Sequence, residues 1–381
     1  MNLRVVHYSP VWLEQTQTWL FNQIHSLPKN IESHVVCRST RNLEQFKIGN
    51  VHCLKRDNKA HYLLSKLMWL SGAKSYNGYL THQIDRLQPD LIHSHFGNNG
   101  WMNLRIAQRH ELPHVVTFYG QDVSMLPTRN PAWRDRYRQL FAAPQTLFLC
   151  EGNHMAACLV NMGCDPAKIR IQHLGVAVDR IDYRPRQWLP GNTLKVLIAA
   201  SFREKKGIPY ALEALAVIRD HYPIEITLIG DAGSREEKQL ILQTLDRHNL
   251  RSCTRQLGFK PYSTFFSEAY RHHLFLSPSV TAADGDTEGG APVSVIEMVA
   301  SGMPVVSSLH CDIPEVIKQG ETGWLAEERN VEQISHCILR WLDRPNSWKA
   351  WLDAGRSHVE KEYSCQLQAL RLSEHYHSLI N

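Results

Sequence analysis

The sequence predicts an α/β protein of two domains, each built around a parallel β-sheet. Short apolar segments of strand length alternate with amphipathic segments of helix length, a pattern typical of βαβ units. The alternation runs from residue 2 to residue 174, is interrupted, and starts again at residue 195. The chain has 381 residues, enough for two domains of about 150 residues each.

The first half begins with an apolar strand and an amphipathic helix. In this helix, residues 16–26, the side chains of Trp19, Leu20 and Ile24 recur at helical spacing, so we expect them to face the sheet. Helix-length segments also lie between several of the later strands, as parallel pairing requires. The predicted strands are residues 2–9, 33–38, 51–54, 90–95, 114–118, 146–150 and 169–174.

A segment rich in Pro and Arg separates the two halves. Residues 179–192 contain two prolines, two aspartates and three arginines and end in a Pro-Gly turn signal, which indicates a linker. The tail, residues 331–380, is helical by its pattern, with Trp341, Trp348 and Trp351 as expected packing anchors. Between them we predict strands at 195–200, 225–229, 254–259 and 273–278, and helices at 208–220, 235–248 and about 264–269.

The composition is that of an ordinary globular protein. No apolar run approaches the roughly 18 residues that span a bilayer, and the N-terminus lacks the pattern of a signal peptide. Nine cysteines are scattered along the chain without a CxxC pair, which argues against a disulfide framework and against a zinc site. We therefore expect a cytoplasmic location.

Positive charge is concentrated in the first half. Residues 1–190 hold 22 Lys and Arg against 13 Asp and Glu, a net charge of +9, so the rest of the chain carries −4. Within this half, residues 55–74 mix six basic residues, His61 included, with several leucines and Trp69. Such a segment either packs on the sheet as a helix or lies on an anionic membrane surface. No nucleic-acid motif accompanies the basic residues, so we expect no nucleic-acid partner.

A glycine-rich stretch after residue 283 carries the strongest functional signal. Glu288 and Glu297 bracket a Gly-Gly-Ala-Pro turn, which runs into an apolar segment that ends at Gly302. Pro292 suits the first turn of a helix and Gly302 suits its end. Free N–H groups at the start of this helix, together with the positive end of its dipole, predict a site for an anion such as a diphosphate.

A basic turn lies between a predicted strand and a predicted helix at residues 201–207, with the sequence SFREKKG. Arg203 and Lys206 would neutralise a diphosphate leaving group there. The alternative is a solvated basic turn with no ligand. Its position in the same half as the glycine-rich stretch favours the phosphate.

Two other motifs of the second half argue against other functions. Gly230 and Asp231 follow a strand, but a full GxGxxG fingerprint is missing, which argues against a dehydrogenase. Asp284 and Asp286 flank a glycine like a metal-binding pair, yet neither His nor Cys supports them. We therefore predict no metal site.

In the first half, polar residues follow two apolar strands in the motifs IHSHFG and TFYGQD. The candidates are His93, His95, Tyr119 and Asp122, which we expect at the carboxyl ends of the strands, where ligands of such sheets bind. Each histidine is alternatively a structural group with its hydrogen bonds satisfied. Asp122 alternatively caps the helix that follows it.

With these motifs the chain resembles the retaining glycosyltransferases of the GT-B fold in glycosyltransferase family 4. The resemblance is strongest over residues 195–325, through SFREKKG, LIGDAGS, LGF, DTEGGAPVSVIEMVASGMPVV and HCDIPEVIKQGETGWL. In the first half it is looser and rests on LIHSHFG, VVTFYGQDVS and MGCDPAKIRIQHLGVAVD. Within the family, the chain looks most like the bacterial exopolysaccharide and lipopolysaccharide enzymes.

The resemblance implies two Rossmann-like domains facing each other across a cleft. It also implies transfer of a hexose from a nucleotide diphosphate sugar to a hydroxyl of a glycan or lipid-linked acceptor, with retention and without a metal or other cofactor. Peripheral contact with the inner face of an anionic membrane would suit such an acceptor. The corresponding boundaries are 1–180 for the acceptor domain, 181–193 for the linker and 194–363 for the donor domain, with a helix at about 364–381 that packs back on the first domain.

The resemblance further implies roles for single residues. Glu297 would hold the ribose hydroxyls, Glu288 the donor sugar and Lys206 the diphosphate. The implied catalytic set is Glu288, Lys206, Tyr119 and Asp122; the donor-binding set is Glu297, Arg203, Ser201, Gly289, Gly290, Ala291, Gly230, Phe259 and Lys260; the acceptor side has His95 and Asn98.

The chain departs from the family pattern at three points. Eight residues separate Glu288 from Glu297, where the family usually has seven, and a bulge at a neighbouring glycine, Gly289 or Gly290, would restore the geometry. The usual arginine ahead of the lysine aligns with Ser201, which leaves Arg203 as its substitute. Tyr119 stands where a histidine is common.

Two alternatives remain at this stage. One is a phosphorylase or epimerase on the same two-domain frame. The other is a sugar-nucleotide-binding protein without catalysis in a polysaccharide assembly complex, which the altered glutamate spacing and the missing arginine would suit.

Overall fold

The computed structural model describes residues 2–14, 17–70 and 78–380, without the side chains of residues 68–70. The chain divides into two compact units, which we call unit 1 and unit 2. Unit 1 comprises Met1–Gly175 and Cys365–Asn381, and unit 2 comprises Val176–Ser364. The division thus falls after Gly175, whereas the sequence places it after residue 180, and the final helix belongs to unit 1.

The described part of unit 1 contains a seven-stranded parallel sheet in the order β5-β3-β1-β6-β7-β8-β9, with a two-stranded β2-β4 ladder beside it. The strand order reverses between β1 and β6, as in doubly wound α/β folds. The strands are β1 (Leu3–Tyr8), β2 (Val11–Trp12), β3 (Ile31–Cys37), β4 (Ser39–Thr40), β5 (Val51–Cys53), β6 (Leu91–His95), β7 (His114–Thr117), β8 (Thr146–Cys150) and β9 (Ile169–Ile171).

The helices of unit 1 lie between these strands and at the end of the chain. The predicted helix at 16–26 is α1, and its first residue, Thr16, lies outside the described residues. Leu372 and Tyr376 of the last helix pack with the buried side chains of Leu3 and Val5. The helices are α1 (Thr18–His25), α2 (Leu54–Asp57), α3 (Lys59–Leu70), α4 (Gly78–Leu87), α5 (Gly97–Arg109), α6 (Met125–Arg129), α7 (Ala132–Phe141), α8 (Asn153–Asn161) and α16 (Cys365–Ile380).

Unit 2 contains a six-stranded parallel sheet in the order β12-β11-β10-β13-β14-β15, which reverses between β10 and β13. Apolar side chains cover both faces, which explains the nearly continuous apolar strand sequences. Its elements are β10 (Leu194–Ala199), α9 (Ile208–Arg219), β11 (Ile224–Ile229), α10 (Arg235–Arg247), β12 (Thr254–Gln256), α11 (Tyr262–Ala269), β13 (Leu274–Ser277), α12 (Val293–Ala300), β14 (Val305–Ser308), α13 (Ile313–Val316), β15 (Trp324–Ala326), α14 (Val331–Leu342) and α15 (Trp348–Glu362).

The segment predicted as a linker packs on unit 2. The Trp188 ring is buried, and its indole N–H donates to the carbonyl of Asn192. The buried Arg186 guanidinium donates to the carbonyl of Ser301 at the end of α12. These contacts occupy groups that a free linker would leave to water.

The C-terminal tail is helical, as its pattern predicts, but it is divided. Breaks at Pro345 and Ser364 separate α14, α15 and α16. The rings of Trp341 and Trp348 are buried and meet edge to face at 5.5 Å. None of the helices in the described parts of the chain is both long and apolar enough to cross a membrane.

Two glycines let the strand-end loops of unit 2 approach each other. A Cβ at Gly207, where φ is +61°, would lie 1.9 Å from the carbonyl oxygen of Pro278 after β13. A Cβ at Gly230 would lie 1.8 Å from the carbonyl oxygen of Ala200 after β10. The loops at the centre of this sheet edge therefore touch through backbone atoms.

We expect Gly207→Ala to lower the free energy of unfolding by about 1–3 kcal/mol more than Gly191→Ala does, because only the first substitution forces a clash. Gly191 also has positive φ, at +90°, but nothing lies within 4 Å of its Cβ position. Denaturant unfolding of both variants measures the difference. Equal losses would show that the approach to Pro278 relaxes without cost.

Candidate functional site

Five charged residues of unit 2 lie together where the strand order of its sheet reverses. The loop after β10 carries Arg203, Lys205 and Lys206, and the loop after β13 carries Asp286 and Glu288. Ligands of open α/β sheets bind outside the carboxyl ends of the strands at this point. The fold thus brings together two motifs that lie about 80 residues apart in the sequence.

Glu288 and Lys206 form a largely buried ion pair. Lys206 Nζ lies 2.8 Å from Glu288 Oε2, and the hydroxyl of Ser279 donates to Glu288 Oε1 at 2.7 Å. Burial alone would raise the pKa of Glu288, but Lys206, Lys205 and the hydrogen bonds outweigh it and lower the pKa to about 2. Glu288 is therefore ionised at neutral pH.

A second carboxylate, Asp286, is held by the other two cations. Arg203 approaches Asp286 Oδ2 at 2.6 Å, and Lys205 Nζ lies 3.3 Å from Oδ1 and 2.7 Å from the carbonyl of Thr287. The acidic motif that looked like a metal-binding pair is thus occupied at Asp286 by ion pairs. Lys205, to which sequence reasoning assigned no role, holds the start of the glycine-rich stretch in place.

The glycine-rich stretch turns sharply before α12. Gly289 has φ of 80°, in the region that favours glycine, directly after Glu288. Gly290 and Ala291 are buried, Pro292 immediately precedes the helix, and its end is marked by Gly302 with φ of 76°. The N-cap residue of α12, Pro292, makes no side-chain hydrogen bond to the first N–H groups of the helix, whose dipole adds positive potential there.

Glu297 lies inside α12 in a different environment from that of Glu288. Its side chain is buried, and the hydroxyl of Tyr262 donates to Oε1 at 2.6 Å. Burial raises the pKa of Glu297 to about 7, although the Tyr262 hydrogen bond opposes this. No cation is paired with this carboxylate among the described residues.

The other predicted donor-binding residues flank these groups. The carbonyl of Ser201 accepts the backbone N–H of Arg203 at 2.9 Å. Gly230 follows β11 and donates its N–H to the carbonyl of Gly258. Phe259, 44% exposed, and the exposed Lys260 follow β12.

The histidines of unit 1 form a buried ladder. His7 Nδ1 lies 3.3 Å from His95 Nε2, and His95 Nδ1 lies 2.7 Å from the hydroxyl of Tyr119. His93 contacts the hydroxyls of Tyr376 and Thr117, both at 2.7 Å. Burial lowers the pKa of His7 to about 3 and the pKa values of His93 and His95 well below 6.5, so all three are neutral at pH 7.

This histidine ladder bears on the prediction that the chain has no metal site. One nitrogen from each of His7, His93 and His95 lies within 4.8 Å of those of the other two, a spacing that a metal ion would tolerate. Five of their six ring nitrogens have hydrogen-bond partners, and His7 Nε2 is buried with none among the described residues. Hydrogen bonding thus accounts for the ladder, and the prediction about a metal stays untested.

Tyr119 and Asp122 are bound to their own unit. The Tyr119 ring packs at 4.3 Å from the Trp19 ring, and its hydroxyl is taken by His95. Both oxygens of Asp122 accept backbone N–H groups, from Gly97 at 2.5 Å and from Tyr119 at 2.8 Å. Asp122 thus caps α5, not the helix that follows it, and it joins the loops after β6 and β7.

A cavity of about 310 Å³ opens in unit 1 beside these loops, at the carboxyl ends of β1 and β6. Asn98 lines it, whereas His95, the other predicted acceptor residue, is fully buried behind it. Its described lining contains the carboxylates of Glu14 and Asp122 and several amide side chains but no Lys or Arg. The lining comprises Ser9, Pro10, Val11, Glu14, Gln17, Phe96, Asn98, Asn99, Gln121, Asp122, Met125 and Leu126.

Comparison with known proteins identifies the family. The model of "Glycosyl transferases group 1" matches residues 179–358, and that of "Glycosyltransferase Family 4" matches residues 16–180. AmsK of Erwinia amylovora, an amylovoran biosynthesis glycosyltransferase, is 31% identical over 288 residues, which are 75% of this chain and 69% of that protein. The chain belongs to the group 1 glycosyltransferases.

A further relative and a solved structure agree with this assignment. WcaL of Escherichia coli K12, named for colanic acid biosynthesis, is 32% identical over 282 residues, which are 73% of this glycosyltransferase and 68% of that protein. The crystal structure of Anabaena HepE in complex with UDP and glucose is 14% identical and has a TM-score of 0.77 over 99% of this chain and 100% of the other. The α/β architecture of GT-B type is thus confirmed.

Sequence reasoning on this glycosyltransferase missed several partners of the predicted residues. Ser279 and Lys205 contact the Glu288 region, Tyr262 contacts Glu297, and His310 accepts the backbone N–H of Glu288. The sequence signal for each partner was weak because the partner lies outside the motif that contains the glutamate. Tyr262 had a usable signal, since it begins the helix that follows Phe259 and Lys260 of the predicted donor-binding set.

The pKa of Glu297 predicts an unusual pH dependence of stability. A carboxyl whose pKa is raised from 4.5 to about 7 in the folded state contributes stability that is fully present below pH 4.5 and is lost as the pH rises through 7. Between pH 5.5 and 8 this loss is about 2 kcal/mol. We expect Glu297→Gln to remove it, as measured by denaturant unfolding at both pH values.

The exposed Glu321→Gln is the matched control in unit 2 and should keep the wild-type pH dependence. If Glu297→Gln loses as much stability as the wild type on going to pH 8, Glu297 is not the titrating group.

Proposed function

We propose that this glycosyltransferase moves a sugar from a nucleotide diphosphate sugar to an acceptor hydroxyl during assembly of a bacterial exopolysaccharide or lipopolysaccharide. The observation that carries the donor assignment is the Lys206–Glu288 pair beside the glycine-rich turn, where the strand order of unit 2 reverses. Cations, free helix N–H groups and an ionised carboxylate there suit a diphosphate joined to a hydroxyl-rich sugar.

The relatives support the pathway and the kind of donor. AmsK is named as a glycosyltransferase of amylovoran biosynthesis and WcaL as one of colanic acid biosynthesis. HepE, which shares the fold, was crystallised with UDP and glucose and also with UDP-glucose. These names support a nucleotide sugar as donor. The proposed acceptor, a growing glycan or its lipid-linked form, rests on the family resemblance.

The mechanism follows from the charges of unit 2. Negative charge develops on the diphosphate as the glycosidic bond breaks, and Lys206, Arg203 and the N–H groups at the start of α12 stabilise it. Lys206 turns from Glu288 toward the phosphate, while Ser279 continues to hold Glu288. The freed carboxylate oxygen accepts a hydrogen bond from a hydroxyl of the donor sugar. Glu297, in the second turn of α12, accepts hydrogen bonds from the ribose hydroxyls.

Retention and independence from metal ions are further parts of the proposal. Retention rests on the family resemblance. Metal independence is supported by the three cations of the loop after β10, which supply the charge that a bound divalent ion supplies in other transferases. Asp286, the natural ligand for such an ion, is already paired with two of these cations.

The acceptor is assigned to the cavity of unit 1. Amide and carboxylate side chains such as those of Asn98, Gln121 and Glu14 pair with vicinal hydroxyls, and Phe96 offers a ring for a sugar face. This cavity lies at the switch point of its own sheet, between β1 and β6.

The same unit carries a surface suited to an anionic membrane. Leu63, Leu64 and Leu67 of α3 are 58%, 57% and 64% exposed and follow one another at helical spacing. Basic residues flank them on the described surface: Lys55, Arg56, Lys59, His61 and Lys66 are all exposed. Residues 71–74 of the predicted interfacial segment lie outside the described residues. Peripheral attachment through α3 would place the enzyme near a lipid-linked acceptor.

Removing the ion pair as a unit should slow transfer strongly without unfolding the protein. We expect the double variant Lys206→Met/Glu288→Gln to lower kcat/KM by about 10²–10³-fold, because it removes transition-state stabilisation of the leaving diphosphate. The double change avoids leaving one buried charge unpaired. Transfer is measured with a panel of nucleotide sugars and glycan acceptors, alongside thermal unfolding.

The control is Lys238→Met, which removes an exposed ion pair with Asp231 in the same unit. Unchanged kinetics in the double variant would refute the donor site. NMR of the product reports retention or inversion, and activity after treatment with a chelator tests metal independence. Turnover of inorganic phosphate by the wild type in place of a sugar acceptor would favour a phosphorylase.

Replacing the exposed leucines should release the enzyme from membranes. We expect Leu63→Ser/Leu64→Ser/Leu67→Ser to lower cosedimentation with phosphatidylglycerol vesicles at least about tenfold, because each buried leucine contributes on the order of 1.5–3 kcal/mol. Leu240→Ser in unit 2, with a residue 46% exposed, is the control and should bind like the wild type. Equal binding of the triple variant would rule out α3 as the contact.

A further inference from the structure

His310 lies against the backbone of Glu288, behind the donor site. It belongs to the loop that follows β14, and its side chain is 1% exposed. Its Nε2 lies 3.1 Å from the backbone nitrogen of Glu288, and its Nδ1 lies 2.6 Å from Glu328 Oε1. Because a backbone N–H can only donate, Nε2 must be the acceptor, and the proton on Nδ1 is donated to Glu328.

Glu328 is itself hydrogen-bonded to Thr281, at the start of the loop that ends at Glu288. The backbone N–H of Thr281 donates to Glu328 Oε2 at 2.7 Å, and the Thr281 hydroxyl lies 3.3 Å from Oε1. Burial opposes ionisation of Glu328, but the hydrogen bonds from His310 and Thr281 lower its pKa below the usual value. The loop from Thr281 to Glu288 is therefore tied at both ends to one His–Glu pair.

This loop leads into a segment of unusual backbone freedom. It passes directly into Gly289, whose φ of 80° lies in the region that favours glycine, and the extra residue between Glu288 and Glu297 lies in the segment that follows. Lys206 and Ser279 hold only the Glu288 side chain. His310 supplies a contact to the Glu288 backbone through Nε2. The thiol of Cys311 lies 3.2 Å from the same Nε2 and is a second donor to it.

We propose that His310, held by Glu328, is the positioning residue that sets the Glu288 carboxylate for recognition of the donor sugar. The inference rests on the proposed function, in which Glu288 contacts the sugar, whereas Lys206 contacts the diphosphate and Glu297 the ribose. It follows that His310 governs affinity for the sugar part of the donor and leaves affinity for the nucleoside diphosphate nearly unchanged. A merely structural histidine would weaken both alike or neither.

The test compares two ligands on each variant by isothermal titration calorimetry. The ligand pair is UDP-glucose with UDP, or GDP-mannose with GDP, according to which nucleotide sugar the wild type turns over. We expect His310→Leu to raise the Kd for the nucleotide sugar about tenfold or more, the loss of one well-placed hydrogen bond to the loop. The Kd for the diphosphate should change by less than about twofold.

Three further variants sharpen the result. His310→Gln can accept from the Glu288 N–H and donate to Glu328, so it should recover most of the nucleotide-sugar affinity. Glu328→Ala should reproduce the His310→Leu pattern, and the exposed neighbour Glu327→Ala should bind both ligands like the wild type. Unfolding midpoints of all variants show whether the fold is kept.

Equal weakening of both ligands by His310→Leu, or no weakening, overturns the proposal, as does failure of His310→Gln to recover affinity. A wild type that binds and turns over none of the nucleotide sugars in the panel refutes the proposed function and the inference with it. Selective loss in a wild-type-active protein supports both.

Discussion

The buried Glu288 carboxylate remains charged chiefly because Lys206 lies against it, and the organisation of the strand-end loops of unit 2 follows from that pairing. Removing a carboxylate from water opposes its ionisation, and the nearby cations reverse this, giving a pKa of about 2. Glu297, in the same stretch and equally hidden, has a tyrosine for a partner and a pKa of about 7. Glu288 is thus ionised at neutral pH, whereas Glu297 titrates near neutral pH. Such different environments fit the proposed function, in which the two carboxylates accept hydrogen bonds from one donor, better than a shared acid–base reaction.

Geometry makes this pairing available. The loops after β10 and β13 come from strands that are neighbours in the sheet but distant in sequence, and glycines at 207 and 230 let them meet through their backbones. In unit 1 the equivalent edge is built differently. There, neutral histidines and the Asp122 carboxylate bind the strand-end loops to one another. Of the site residues predicted in unit 1, only Asn98 and Asp122 line the open cavity.

The elements of the fold were predictable from the sequence because they depend on local patterns. The apolar runs at 195–200 and 225–229 became β10 and β11, and Pro292 and Gly302 bounded α12 as their backbone preferences predict. Contacts between segments were not predictable in this way. Nothing near residue 310 in the sequence indicates that its ring reaches Glu288, and the pattern of 179–192 does not reveal that Arg186 would find carbonyls at the end of α12. Tyr119 and Asp122 were placed at the correct sheet edge, but their polar atoms are used by His95, Gly97 and the backbone of Tyr119 itself.

The return of α16 to unit 1 has a consequence for biosynthesis. Tyr376 of α16 binds the buried His93 and packs with Leu3 and Val5 at the start of the chain. A ribosome therefore releases the whole of unit 2, a continuous segment, before unit 1 receives the helix that covers one face of its sheet. Domains usually complete their folding in the order in which they are synthesised. Here the first unit to emerge is the last to be finished, because the contacts of Leu372 and Tyr376 with its sheet require the end of the chain, which is synthesised after unit 2.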